Sequence, residues 1–156
     1  MNRTGNMFKR HFHFFLFCSV ILVTILACGY QHVLIMGGYS MEPTFTDGQK
    51  LYTESVDLSE LKRGDIVYFT VSDDTGLIKR IIGLPGEKIE IKDGKIYIND
   101  NVLVEEYHAT TPEYSREPIT LKDNEYYVLG DNRNESKDSH NIGPITGDQI
   151  IGRVVQ

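Results

Sequence analysis

Two hydrophobic patterns divide the chain. Phe14 to Tyr30 reads FFLFCSVILVTILACGY, 17 residues without a charge, and the apolar run extends to Met36 across Gln31 and His32. No polar face recurs at helical spacing, as it would in a helix packed on a soluble core. As a helix rising about 1.5 Å per residue, residues 14–36 would span roughly 35 Å, enough to cross a bilayer with some tilt. One transmembrane anchor is predicted there. Beyond it the pattern turns to short β-type runs between turn signals, with no internal repeat. Ile66–Val71 and Leu77–Ile82 are rich in β-branched and aromatic residues and read as strands, the second stopped by Gly83-Leu84-Pro85-Gly86. Lys88–Lys92 and Lys95–Asn99 alternate apolar and polar about Asp93-Gly94, the strongest hairpin signal in the chain. Asp57-Leu58-Ser59-Glu60 has the form of a capping box and predicts one helical turn ending before Arg63-Gly64. Residues 105–124 show no period and hold two prolines, so a loop with an edge strand is predicted. Glu125–Leu129 and Gln149–Val155 read as strands, which makes the region mostly β.

Charge gives the apolar segment an orientation. Arg3, Lys9 and Arg10 put +3 on residues 1–13, and residues 14–36 carry no ionised side chain, so the chain's −6 leaves −9 for residues 37–156. The positive-inside rule then predicts a cytoplasmic N-terminus (1–13), an anchor (14–36) and an outer-face domain (37–156) with a hairpin insertion at about 87–124. A cleaved signal peptide would have a shorter apolar core and a small-x-small site, which Ala27-Cys28-Gly29 matches poorly. Acylation at Cys28, in the faintly lipoprotein-like Ile25-Leu26-Ala27-Cys28, would still tether the domain outside. An acidic domain lacks the basic footprint that nucleic acid requires. Both cysteines, Cys18 and Cys28, fall in the apolar run, so a disulfide-stapled fold is excluded. No CxxC, HExxH or paired Cys/His spacing offers a zinc site.

Three patches carry candidate chemistry: Gly38-Tyr39-Ser40-Met41-Glu42-Pro43-Thr44, Ile78-Lys79-Arg80-Ile81-Ile82 and Gly130-Asp131-Asn132-Arg133-Asn134-Glu135-Ser136-Lys137-Asp138-Ser139. A serine on a sharp turn either fills the turn or presents its hydroxyl beside free backbone N–H groups that can face an oxyanion. Lys79 interrupts an apolar strand, so it either points to solvent or is deliberately desolvated. A desolvated amine loses its proton more easily, and a neutral amine can take the proton of a serine hydroxyl.

Together the patches resemble bacterial type I signal peptidase, the leader peptidase of the Gram-positive kind. Anchor, Ser-Met-Glu-Pro-Thr box, Arg63-Gly64-Asp65-Ile66-Val67 box, Lys-Arg box and Gly-Asp-Asn-Arg box stand in the family's order. The resemblance implies a coiled antiparallel β-sheet domain behind one N-terminal transmembrane helix. It implies a membrane serine endopeptidase that cuts signal peptides from secretory pre-proteins after Ala-x-Ala, by a Ser-Lys dyad without metal or cofactor. Ser40 would be the nucleophile and one oxyanion donor, Lys79 the general base, and Ser136 the hydroxyl orienting the lysine. Arg80 and Asp131 would form a structural ion pair, and Asp138 would brace the same turn. Met41 and Ile78 would line the pocket for the residue before the cut. Secretory pre-proteins and membrane lipid are the implied partners, nucleic acid is not one, and a monomer is expected.

This sequence also departs from the family's pattern. Gly38 stands where some members carry a hydroxyl donor to the oxyanion, Gly37 where proline is common, and His140 where arginine is usual. Those departures leave a weakened or inactive paralogue that binds exported chains as the alternative. His140 beside Asp138 invites a Ser-His-Asp triad. A repressor-type self-cleaving protease shares the dyad, yet needs a DNA-binding domain where this chain has an apolar segment.

Overall fold

A computed structural model describes residues 32–72 and 75–155. The predicted anchor over 14–31 lies outside the described residues. Its last residues do not: His32–Ile35 form strand β1, paired antiparallel with β2 (Lys50–Glu54). The apolar run therefore ends in a strand, because its alternate side chains can serve a sheet as well as a bilayer. Among the described residues no helix is long and apolar enough to cross a membrane.

The remaining strands are β3 (Ile66–Ser72), β4 (Thr75–Gly83), β5 (Lys88–Lys92), β6 (Lys95–Ile98), β7 (Asn101–Val102), β8 (Arg116–Thr120), β9 (Glu125–Leu129), β10 (Ile145–Thr146) and β11 (Ile150–Val155). A single helical turn, α1, spans Ser139–Ile142. The strands form a seven-stranded sheet, in the order β1-β2-β11-β3-β4-β9-β10, and a four-stranded sheet, β7-β6-β5-β8. Every pairing is antiparallel, so the mostly β antiparallel architecture is as expected.

Local chemistry explains the elements. The β5–β6 hairpin turns at Asp93 and Gly94, with φ of 50° and 71°, the left-handed pair that a tight two-residue turn demands. Asp57 caps a 3-10 turn at Leu58–Glu60 by accepting from the Ser59 N–H at 2.8 Å. The loop read over 105–124 does hold one strand, β8, whose five residues are all exposed.

Alternation sorts the apolar residues into three clusters. Ile82, Ile89, Ile91, Ile96 and Leu129 join the four-stranded sheet to β4 and β9. Val67, Phe69, Ile81, Val128 and Ile145 fill a second cluster. A third, of Met36, Met41, Phe45, Ile66 and Ile78, lies under the turn that carries Ser40. Fully burying such a side chain contributes about 1.5–3 kcal/mol, so this third cluster holds the turn firmly.

The position of β4 matters most for function. Along one side it pairs with β3 from Thr75 to Arg80. Along the other, β9 covers only Arg80, Ile81 and Gly83. Among the described residues, Thr75–Lys79 therefore present an unpaired edge.

Candidate active site

Ser40 sits in a turn closed by Glu42 N–H to the Tyr39 carbonyl (3.1 Å) and Phe45 N–H to the Met41 carbonyl (2.9 Å). Gly38 enters it with φ of 77° and donates its N–H to Asp47 Oδ1 at 2.7 Å, so that amide is already engaged. The Ser40 N–H has no partner among the described residues and is free to face an oxyanion. Met41 is wholly buried beneath the turn and anchors it. Of the two residues expected at the pocket, Ile78 stands on the wall of the neighbouring cleft and Met41 packs in the cluster beneath the turn. The cleft holds about 300 Å³ and is walled by Leu34, Met36, Tyr68, Gly76 and Ile78, with Ser40 and Lys79 at one end.

Lys79 is on β4 with 2% of its surface exposed. Its Nζ lies 2.6 Å from Ser40 Oγ and donates to the Ile78 carbonyl at 2.9 Å. Burial pushes the amine down to about 8 from an ordinary 10.5, against the upward pull of Asp138 and Asp131. Of the two fates open to a lysine in an apolar strand, desolvation is the one realised.

The neighbouring Arg80 is locked in place. Its Nε and Nη2 meet Asp131 Oδ1 and Oδ2 at 2.8 and 2.6 Å, both partners buried. Nη1 donates to the Gly64 carbonyl at 2.8 Å, and the guanidinium lies 3.9 Å from the centre of the Tyr107 ring. A buried bidentate pair fixes direction as well as distance. The turn from Asp131 in turn grips Ser40, since Asn132 N–H donates to the Ser40 carbonyl at 3.1 Å. Gly130 is needed for that approach: a Cβ there would stand 2.4 Å from the Ser40 carbonyl oxygen and 2.3 Å from Ser136 Oγ.

Asp138, fully buried, accepts the Gly130 N–H at 2.8 Å on one oxygen. The other oxygen takes the His140 N–H at 3.1 Å and meets His140 Nδ1 at 2.7 Å. His140 is thus the side-chain partner of Asp138 on this oxygen. Its ring stacks on Tyr114 at 4.1 Å, while Ser40 contacts Lys79, so the geometry assembles no Ser-His-Asp triad. Ser136 Oγ is buried without a hydrogen-bond partner, and the expected bond to Lys79 is not formed in this structure.

Sequence reasoning missed several participants. Thr44, quoted within the serine box without a role, donates to Asp131 Oδ2. Glu105 binds the guanidinium of the fully buried Arg133 through both oxygens and accepts the Tyr107 hydroxyl at 2.6 Å. Thr110 accepts the Arg133 N–H at 2.7 Å on its hydroxyl. Glu105, Tyr107 and Thr110 lie in an aperiodic stretch, and no local signal marks contacts such as Thr44–Asp131, Thr110–Arg133 and Glu105–Arg133 that reach across 20 or more positions.

A mostly β antiparallel domain that sets a turn serine against a buried amine, beside a strand edge able to hold an extended chain, has the makings of a serine peptidase. The family described as signal peptidase, peptidase S26, matches residues 8–156. A probable signal peptidase I-2 of Synechocystis sp. is 36% identical over 148 residues, covering 86% of this chain and 68% of that protein. Signal peptidase I T of Bacillus subtilis is 34% identical over 154 residues, covering 86% and 79%. The crystal structure of a signal peptidase I from Enterococcus faecalis V583 superposes with a TM-score of 0.51 at 30% identity, over 62% of this chain and 97% of that one. The chain belongs to the signal peptidase family, peptidase S26, and is a serine peptidase of the signal peptidase I kind.

Proposed function

We propose that this protein is a membrane-bound endopeptidase that removes signal peptides from exported pre-proteins after Ala-x-Ala, with Ser40 and Lys79 as its catalytic pair. The 2.6 Å contact between Lys79 Nζ and Ser40 Oγ, made by an amine 2% exposed, carries this reading. In its neutral form the amine takes the Ser40 proton as Oγ attacks the carbonyl of the residue before the cut. The Ser40 N–H faces the oxyanion. Lys79 then returns the proton to the leaving amine, and the resulting acyl-enzyme is hydrolysed by a water that Lys79 deprotonates. The substrate lies extended along the open edge of β4, as an added strand.

Membrane attachment is supported by the uncharged run of residues 14–30 behind a basic N-terminus. Val33, Ile35, Tyr39 and Tyr52 also expose large apolar surfaces on and near β1. We place residues 1–13 in the cytoplasm and the catalytic domain on the outer face. Confinement of enzyme and substrate to one membrane raises their effective concentration.

The test is cleavage of a model pre-protein whose signal ends in Ala-x-Ala, in detergent. Wild type is expected to cut it, His140→Ala to cut it more slowly, and Ser40→Ala and Lys79→Ala to lose about 10³-fold or more. Full activity of folded Lys79→Ala would refute the dyad.

A further inference from the structure

Two carboxylates pull on the Lys79 amine, and they are answered differently. Asp131 is clamped by Arg80 through two hydrogen bonds, and a guanidinium keeps its charge throughout the range in which proteins work. Asp138 forms no ion pair with a lysine or arginine among the described residues. It is wholly buried, and the side chain set against it is the imidazole of His140, with Nδ1 2.7 Å from Oδ1. Tyr114 and Tyr127 of β9 also face this carboxylate, but burial pushes both phenols up and leaves them un-ionised.

The surroundings of the ring fix its bond and leave its charge free. A carboxylate only accepts, so Nδ1 carries a proton and donates to Asp138. Tyr114 stacks on the ring with centroids 4.1 Å apart, and Arg116 of β8 donates to the His140 carbonyl at 2.7 Å. Arg116 is also the cation beside this stack, 5.6 Å from the centre of the Tyr114 ring. His140 Nε2 makes no hydrogen bond among the described residues, and the side chain keeps 9% of its surface exposed where Asp138 keeps none. A proton gained or lost at Nε2 therefore changes the charge facing Asp138 and leaves the Nδ1 bond in place. A guanidinium in this position could not do that.

We propose that His140 is a positioning residue that tunes the Lys79 amine: it holds Asp138 by the Nδ1 bond without permanently cancelling the carboxylate's charge, and so keeps Lys79 a stronger base than a fixed cation would. The inference rests on the Ser40–Lys79 reading above. With His140 charged, Asp138 pulls less on Lys79, and the amine gives up its proton sooner. With His140 neutral, the whole carboxylate charge acts on Lys79, which takes the Ser40 proton more readily.

The experiment is the pH profile of kcat/KM on one pre-protein, from about pH 6 to 10. Wild type is expected to rise through about 8, and His140→Asn, whose amide nitrogen replaces Nδ1 without a charge, to rise in the same place. His140→Arg sets a permanent charge against Asp138 and should bring the midpoint down by about half a pH unit or more, roughly threefold in the proton equilibrium. His140→Lys makes the same change of charge and is the second measurement where Tm shows that the guanidinium upsets the fold. Coincident midpoints in all the folded variants would overturn the inference, since a brace alone moves rate and Tm but not the titration. A wild-type midpoint matching that of His140→Arg, with His140→Asn above both, would overturn it as well. A wild type that cleaves nothing, or whose profile is flat, would instead sink the Ser40–Lys79 reading on which this one stands.

Discussion

Lys79 concentrates the energetics of the site in one side chain. As the proposed general base its amine must be neutral to act, so kcat/KM is expected to rise with pH through about 8, where burial has placed its titration. A profile flat between pH 6 and 10 would count against the role. The same depression has a stability consequence with a definite sign. Between about 8 and 10.5 the unfolded chain holds a proton that the folded chain has lost, so stability climbs with pH across that window. Lys79→Met should therefore abolish cleavage while stabilising the fold at pH 7 by about 1–3 kcal/mol, a gain that fades above pH 10.5. Urea denaturation at both pH values measures it. Asp131 is the converse case. Asp131→Asn leaves buried Arg80 without its counter-charge and is expected to cost about 3–5 kcal/mol, read as a lowered Tm, with any residual folded enzyme still cleaving. The pairing of Ser40 with Lys79 was legible because a box of unusual residues surrounds each. Ser136 was less so: its position in the motif was readable, but not that its Oγ would be buried and unbonded, 2.3 Å from where a Cβ on Gly130 would stand.

Elements whose pattern is local could be read; those made by distant partners could not. The β5–β6 hairpin follows from alternation about Asp-Gly, and β3 and β4 follow from β-branched runs. Gly94→Ala puts a Cβ where φ is 71° and Thr111 Cγ2 lies 2.9 Å away, so a loss of about 1–2 kcal/mol with unchanged cleavage is expected by thermal melting and assay. Strand β1 was hidden inside an apolar run whose composition suits a helix, and only its pairing with β2 reveals it. Strand β10 has two residues and α1 has four, too few for any period to show. What makes α1 stand is a reciprocal cap, Asp138 to the turn's amides and Asn141 Oδ1 to the Asp138 N–H, and the same aspartate was readable only as a brace. Gly130→Ala works at this level too: it would push apart two turns rather than two atoms. A fall in kcat of about 100-fold, with the melting temperature less affected, is the outcome expected from a displaced nucleophile.

Across the whole domain, the stretch from Glu105 to Thr110 ties the small sheet to the catalytic turn. Glu105 neutralises the buried Arg133, Tyr107 covers Arg80, and Thr110 N–H donates to the Asp131 carbonyl at 2.9 Å. Glu105→Gln leaves Arg133 buried and unpaired, and a loss of about 3 kcal/mol is expected from urea denaturation, far above the effect of breaking an exposed pair such as Lys88–Asp100. The open edge at Thr75–Lys79 has a wider consequence. Peptide N–H and C=O groups are the same in every protein, so an edge that grips by them is indifferent to which passenger arrives. Identity is asked only at alternate positions, where side chains turn inward, and the residue between them is free to vary. On the proposed function, five residues that keep one side of a strand open are enough to let one enzyme serve many unrelated clients.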